Sequence, residues 1–306
     1  MMKRLLSCLM GIFLLLCVCG CTPQENPSED GRLTIVATLF PQYDFARTIA
    51  GDSADVSMLL PVGTEAHGFD PTPSDMLTLN RADLLFYTGD GMEPWVQELT
   101  ADITSLSVVD LSETVSLLEE HHEEDGHAHG NFDPHIWTDP KIAMEMARKI
   151  GTAMMEKDPE NRAVYEENLS ALLSELSALD ADFSALVSSV ENPTIYFCGR
   201  FALSYFCASY GINHVSPYAG CAESAEPSPV ALAEIIDAVN QNHVPVVFYE
   251  ELTDPKVANF VAEQTGAAPH LLHSCHNVTQ EEWDRNVSYI SLMRQNYEYL
   301  KKGWKK

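Results

Sequence analysis

Basic residues are scarce in this chain: 18 Lys+Arg stand against 45 Asp+Glu over 306 residues, a formal charge of −27. That balance excludes the electrostatic footprint of a nucleic-acid binder, which relies on cationic side chains to neutralise phosphates. It suits attraction of cations, although acidic charge also simply keeps a protein soluble. Also missing are an HExxH helix, a GxSxG elbow and a GxxxxGK[ST] loop, so hydrolytic or nucleotide chemistry has no motif to rest on. Against these absences, histidine is concentrated. The stretch EEHHEEDGHAHGNFDPHIW (119–137) places His121, His122, His127, His129 and His135 in one acidic, Gly-containing segment. Neutral imidazole and carboxylate are both zinc ligands, and a loop rich in both gathers divalent ions without a preformed geometry. The alternative is a solvated acidic loop whose histidines are incidental.

The N-terminus specifies a compartment. Lys3 and Arg4 form a positive region, Leu5 to Val18 an apolar one, and Gly20 is the small residue before Cys21, the pattern of a secretory signal too short to span a bilayer. Val18-Cys19-Gly20-Cys21 resembles a bacterial lipobox, which makes residues 1–20 the signal and Cys21 the lipid-bearing first residue. Residues 21–31 are polar and contain two prolines, as expected of a tether. About 285 residues remain beyond Cys21, enough for one large or two ordinary domains. The mature chain has 16 Lys+Arg against 45 Asp+Glu, a formal charge of −29. Its remaining cysteines, Cys198, Cys207, Cys221 and Cys275, are able to form disulfides outside the cytoplasm, in any of three pairings.

Strand-like and helix-like segments alternate twice over. RLTIVAT (32–38), DVSMLLP (55–61), ADLLFYT (82–88) and SLSVVDL (105–111) are β-rich, with helical FPQYDFARTIAG and EPWVQELTADI among them, which predicts βα units on a parallel sheet. TIYFC (194–198), VPVVFYE (244–250) and PHLLHS (269–274) repeat the logic with helical FALSYFCASYG, SPVALAEIIDAVNQN and DPKVANFVAEQTG. Between the halves, residues 158–190 carry Val164, Leu169, Leu172, Leu173, Leu176 and Leu179 close to helical spacing, with Asp158 as an N-cap and Asn192-Pro193 as a stop. A helix of about 30 residues spans roughly 45 Å and would serve as a rigid spine; a break near Asp180 is the alternative. The expected fold is α/β, two similar lobes each with a parallel sheet flanked by helices, a first lobe over 32–157 with the His-rich loop 119–130 and a second over 191–306. A ligand cleft between the lobes follows.

GTEAHGFDPTPSD (63–75) follows a strand at its carboxyl end, where open α/β sheets present ligand loops, and carries His67; DPHIWTDP (133–140) places His135 just before a helix. On these motifs, the acidic His-rich loop, the spine, SYFCASYGI (204–212), AEPSPVALAEI (225–235), VVFYEELTDPKVANFVAEQTG (246–266) and SYISLMRQNYEYL (288–300), nearly the whole mature chain resembles the cluster A-I metal-binding proteins of ABC transporters. The resemblance implies a monomeric, lipid-anchored extracytoplasmic protein that holds one Zn²⁺ or Mn²⁺ in its cleft and passes it to a membrane permease. It implies His67 and His135 as ligands and no enzyme activity. Where that family places a third histidine or glutamate ligand, five residues before Tyr205, this chain has Arg200, a permanently protonated group that offers only donors, with Glu223 or Glu226 as carboxylate partners.

In place of the family's aspartate after the last strand stands His273, so that His67, His135 and His273 form the expected three-imidazole set, better suited to Zn²⁺ than to Mn²⁺. Cys275, His276, Glu250 and water are the candidates for a fourth donor. His214, His243 and His270 have no motif around them and read as structural or exposed. Two other classes remain open: a zinc hydrolase, with Glu250 as general base, and an adhesin-like surface lipoprotein.

Overall fold

Apolar β-branched segments bounded by turn residues pair in parallel wherever a returning connection brings them to the same edge, and both halves of the chain do this. The computed structural model describes residues 31–118, 132–218 and 227–304. The strands β1 (Leu33–Ala37), β2 (Ala54–Met58), β3 (Leu84–Tyr87) and β4 (Ser107–Asp110) form a parallel sheet of order β2-β1-β3-β4. Ile35 on the central strand stands opposite Val56 on one side and Leu84 on the other. Ile35, Leu84 and Phe86 belong to one apolar cluster and Val36, Leu85 and Tyr87 to another, so the sheet is covered on both faces, as a parallel sheet requires. Helix α1 (Phe40–Ala50) follows β1, with Pro41 in its first turn where no amide hydrogen is needed. Two short helices, α2 (Pro73–Leu79) and α3 (Val96–Thr100), complete the lobe.

The second half repeats the strand order in abbreviated form. The pairs β5 (Thr194–Tyr196) with β6 (Asn213–Val215), and β7 (Val246–Tyr249) with β8 (Ala268–Leu271), are joined by a single parallel bridge between Phe197 and Phe248. Read across that bridge the order is β6-β5-β7-β8, the first lobe's pattern again. Strand β6 has no counterpart in the sequence reading, because three residues, two of them exposed, leave no periodicity to detect. The helices here are α6 (Ser204–Tyr210), α7 (Pro229–Gln241), α8 (Lys256–Thr265), α9 (Gln280–Asp284) and α10 (Tyr289–Gly303).

The lobes meet on helices. After α4 (Pro140–Lys157), the Asp158 side chain accepts from Asn161 N and caps a 3₁₀ turn, and the chain runs into α5, Arg162–Ser188, 27 residues without a break at Asp180. At 1.5 Å per residue that is about 40 Å. Tyr165, Leu172, Leu176, Leu179, Phe183 and Val187 form its buried stripe, while Val164 is exposed. This stripe packs on α1 and α4 from the first lobe and on α10 and α6 from the second. One core therefore runs from Phe45 and Trp137 through Leu176 and Phe183 to Phe206 and Tyr289. Burying each such side chain contributes about 1.5–3 kcal/mol, so a spine shared by both lobes resists their separation.

Cys198, Cys207 and Cys275 are free, buried thiols; Cys221 lies outside the described residues. Burial drives the Cys198 and Cys207 thiols up to about 12, which keeps them protonated and inert. Among the described residues no helix is long and apolar enough to cross a membrane. Cys21, the His-rich loop, Glu223 and Glu226 fall outside the described residues.

Candidate metal centre

Three loops at the carboxyl ends of strands build the site. The loop after β2 carries His67. Asn277 pins it by donating from Nδ2 to Pro61 O and Thr64 O, both at 2.8 Å, and Gly63 N donates to Val278 O. Glu65 organises the tip, its Oε1 accepting from His67 Nδ1 at 2.8 Å and from the amides of Ala66 and His67.

The second loop, before α4, carries His135. Asp133 Oδ1 accepts from His135 N at 2.9 Å and from His135 Nδ1 at 2.7 Å. The segment is locked by the second lobe: Tyr205 Oη donates to Asp133 O, Trp137 Nε1 donates to Ser274 O, and Tyr289 Oη donates to Trp137 O. His135 is only 1% exposed, and its ring centroid stands 5.2 Å from that of His67.

The third loop, after β8, carries His273, Cys275 and His276. Strand β8 ends at Leu271, and Cys275 takes the left-handed conformation at φ +68°, so the loop turns and its side chains diverge. Ser274 and His276 line the pocket with His67 and His135. His273 does not. It is held inside the second lobe, its backbone clasped by Asn296 and its Nδ1 and Nε2 standing 3.4 Å from Glu251 and 3.7 Å from Glu282. Burial alone would lower its pKa, but the two carboxylates outweigh burial and raise it. Its Nδ1 accepts from the Cys275 amide at 2.9 Å, so the lone pair of that nitrogen is already used. The Cys275 thiol is fully buried, and burial, with Glu251 and Glu282 adding to it, pushes its pKa well up.

His276 has the same support as the other two pocket histidines. Its Nδ1 stands 2.9 Å from Glu251 Oε1 and 2.7 Å from Ser274 Oγ, which in turn donates to Glu251 Oε1 at 2.6 Å. A carboxylate can only accept, so Glu65, Asp133 and Glu251 each fix the proton on Nδ1 of their histidine and leave the Nε2 lone pair as that ring's donor to a metal. Burial would raise all three carboxyls. The adjacent imidazoles, joined at Glu65 by Arg200, more than reverse that and hold all three below the ordinary range. His276 Nε2 is buried with no hydrogen-bond partner, an orphaned atom beside a cavity of about 20 Å³, room for one ion or one water.

Arg200 forms the remaining wall. Its Nη2 donates across the cleft to Glu65 Oε2 at 2.9 Å, and its Nε and backbone N donate to Glu250 Oε1 at 3.4 and 3.2 Å. Glu250 fits because residue 199 is glycine, where a Cβ would run into its carboxylate. Among the described residues no three His, Cys, Asp or Glu side chains are gathered within reach of one ion as they stand. His214 and His270 stack on Phe201 and Tyr299, and His243 occupies a positive-φ turn, all away from the pocket.

Glu65, Asp133 and Glu251 were not singled out from the sequence. A signal existed for two of them, since TEAH and DPH both put an acid two residues before a histidine.

Two parallel α/β lobes on a shared helical spine, with carboxylate-backed histidines facing each other across the cleft, define the class of two-lobed solute-binding proteins. The chain belongs to the ZnuA family, zinc-uptake complex component A, periplasmic, whose model matches residues 35–303. It is 30% identical over 303 residues to the high-affinity zinc uptake system protein ZnuA of Bacillus subtilis, spanning 94% of this chain and 93% of that one. It is 29% identical over 307 residues to the zinc-binding lipoprotein AdcA of Streptococcus pneumoniae, and there 97% of this chain spans only 60% of the relative. The zinc-bound ZnuA-like domain of Streptococcus pneumoniae AdcA superposes with a TM-score of 0.77 at 27% identity, over 90% of this chain and 100% of that domain. The family is one of solute-binding components of zinc uptake, not of enzymes.

Proposed function

We propose that this chain captures Zn²⁺ outside the cytoplasm and delivers it to the permease of an ABC importer, using His67, His135 and His276 as ligands. The observation that carries this reading is that each of these rings has its Nδ1 backed by a carboxylate, Glu65, Asp133 and Glu251 respectively. Such backing sets ring orientation and raises ligand basicity in metal sites. Three neutral nitrogens favour Zn²⁺ over Mn²⁺, which prefers oxygen-rich octahedral surroundings. Capture draws the three side chains inward around the ion. The zinc-binding names of the relatives support the choice of metal, and a lipid on Cys21 would keep the protein beside its permease. The His-rich loop, with His121, His122, His127 and His129, would raise the local zinc concentration.

The test is zinc stoichiometry of the soluble protein from Thr22 onward, with point variants of His67, His135, His273 and His276 and a form lacking 119–130. One tight zinc should vanish in the His67, His135 and His276 variants and persist in the His273 variant and the loop deletion. Loss of that zinc on deleting the loop alone would defeat the division of labour.

A further inference from the structure

Among the described residues the one cation lining the pocket is Arg200, and the groups around it decide what a captured ion can be bound by. Around the three imidazoles, among the described residues, Arg200 and internal hydrogen bonds engage Glu65, one oxygen of Glu250 and Ser274. Glu65 divides its oxygens between His67 and Arg200. Glu250 Oε1 accepts from the backbone amide and Nε of Arg200. Ser274 Oγ is given to Glu251, and the Cys275 thiol is fully buried on the other side of its turn. Arg200 itself cannot ligate, because its nitrogens are all donors.

We propose that Arg200 is a specificity-determining residue: a non-ligating cation that Glu250 holds at the pocket wall, clamping Glu65 onto His67 and leaving the captured ion with three imidazoles and one exchangeable coordination position. The inference rests on the three-histidine reading above. It is electrostatically consistent, because Glu65, Glu250 and Arg200 together carry one negative charge and the guanidinium is neutralised on two sides. The adjoining cavity of about 280 Å³, which shares Glu65, Arg200 and Glu250 and extends to Tyr249 and Asp254, gives the fourth position a route to solvent. A fourth protein ligand would close the ion in. This site exposes one face of it, which favours exchange with a small incoming ligand over permanent retention.

The experiment uses Co²⁺ as a spectroscopic stand-in for zinc, with azide as the probe of the exchangeable position, in the wild type, Arg200→Lys and Arg200→His. Azide is expected to shift the visible Co²⁺ bands of the wild type and of Arg200→Lys, which keeps a non-ligating cation. Arg200→His, which supplies a fourth nitrogen, should show no azide shift and bind zinc at least about tenfold more tightly. An azide response as large in Arg200→His as in the wild type, or none in the wild type while His67-dependent Co²⁺ bands are present, overturns the role of Arg200 alone. Absence of any His67-dependent Co²⁺ spectrum overturns the three-histidine site and this proposal with it.

Discussion

Replacing His276 by alanine removes one imidazole from the pocket without touching the core of either lobe. Structural zinc sites are worth about 10–16 kcal/mol over four positions, so one ring accounts for about 3 kcal/mol, or about two orders of magnitude in Kd. Competition against a chromogenic chelator near neutral pH reads this directly. The paired control is His273→Ala, three residues away. There the loss is of a fully buried imidazole 3.4 Å from Glu251 and 3.7 Å from Glu282, and leaving buried polar groups without that partner costs about 1–3 kcal/mol of folding stability. Zinc affinity in that variant should stay within about threefold of wild type wherever the protein is folded. Each substitution removes an imidazole beside the buried Glu251 and should lower the melting temperature, but only His276→Ala should lose zinc. Tight zinc retained in His276→Ala and lost from folded His273→Ala would refute the assignment and return the ligand role to His273.

Asp133→Asn should weaken zinc about 10–100-fold by releasing the His135 ring from its fixed tautomer, and an unchanged affinity in the same titration would contradict that backing role. Gly199→Ala pushes a methyl group against the Glu250 carboxylate and should cost about 1–3 kcal/mol in urea unfolding; an unaltered midpoint would mean Glu250 moves aside freely. Burial raises Glu93 to about 7 against the stabilising bonds from Thr38, Gly89 and Thr88. The folded state therefore binds more protons than the unfolded one between about pH 4.5 and 7, and Glu93 should contribute stability that is present at acid pH and lost, on the order of 3 kcal/mol, as pH rises through that window. Comparing urea unfolding of wild type and Glu93→Gln at both ends checks the sign, since equal slopes with pH would remove the claim. Zinc should be released on acidification from about pH 7 to 5 as protons compete for the three imidazoles. Glu65 and Glu251, held low, remain ionised over that range, so full retention of zinc at about pH 5 would exclude an all-imidazole ligand set.

The features legible without a structure are those carried by local periodicity and end signals. Strands such as LTIVA and LLFY announce themselves by unbroken apolar runs, and Asp158 and Asn192-Pro193 bracket the region of the spine. His67 and His135 stand out because they follow strand ends and precede helices, the positions at which α/β lobes present their loops. The acid-x-His spacing at Glu65 and Asp133 was equally available. What the sequence had no means of deciding was direction within LLHSCHNV. Neither the end of β8 at Leu271 nor the positive φ of Cys275 leaves a compositional trace, yet together they send His273 into the lobe between Glu251 and Glu282 and His276 to the pocket. Glu251 and Arg200 are likewise defined by partners 23 to 135 residues away, Ser274 for the first and Glu65 for the second. Local patterns report what a residue's neighbours in the chain require. Which atoms meet across a cleft depends on how two lobes, separately encoded, are set on one helix, and only the folded structure decides that.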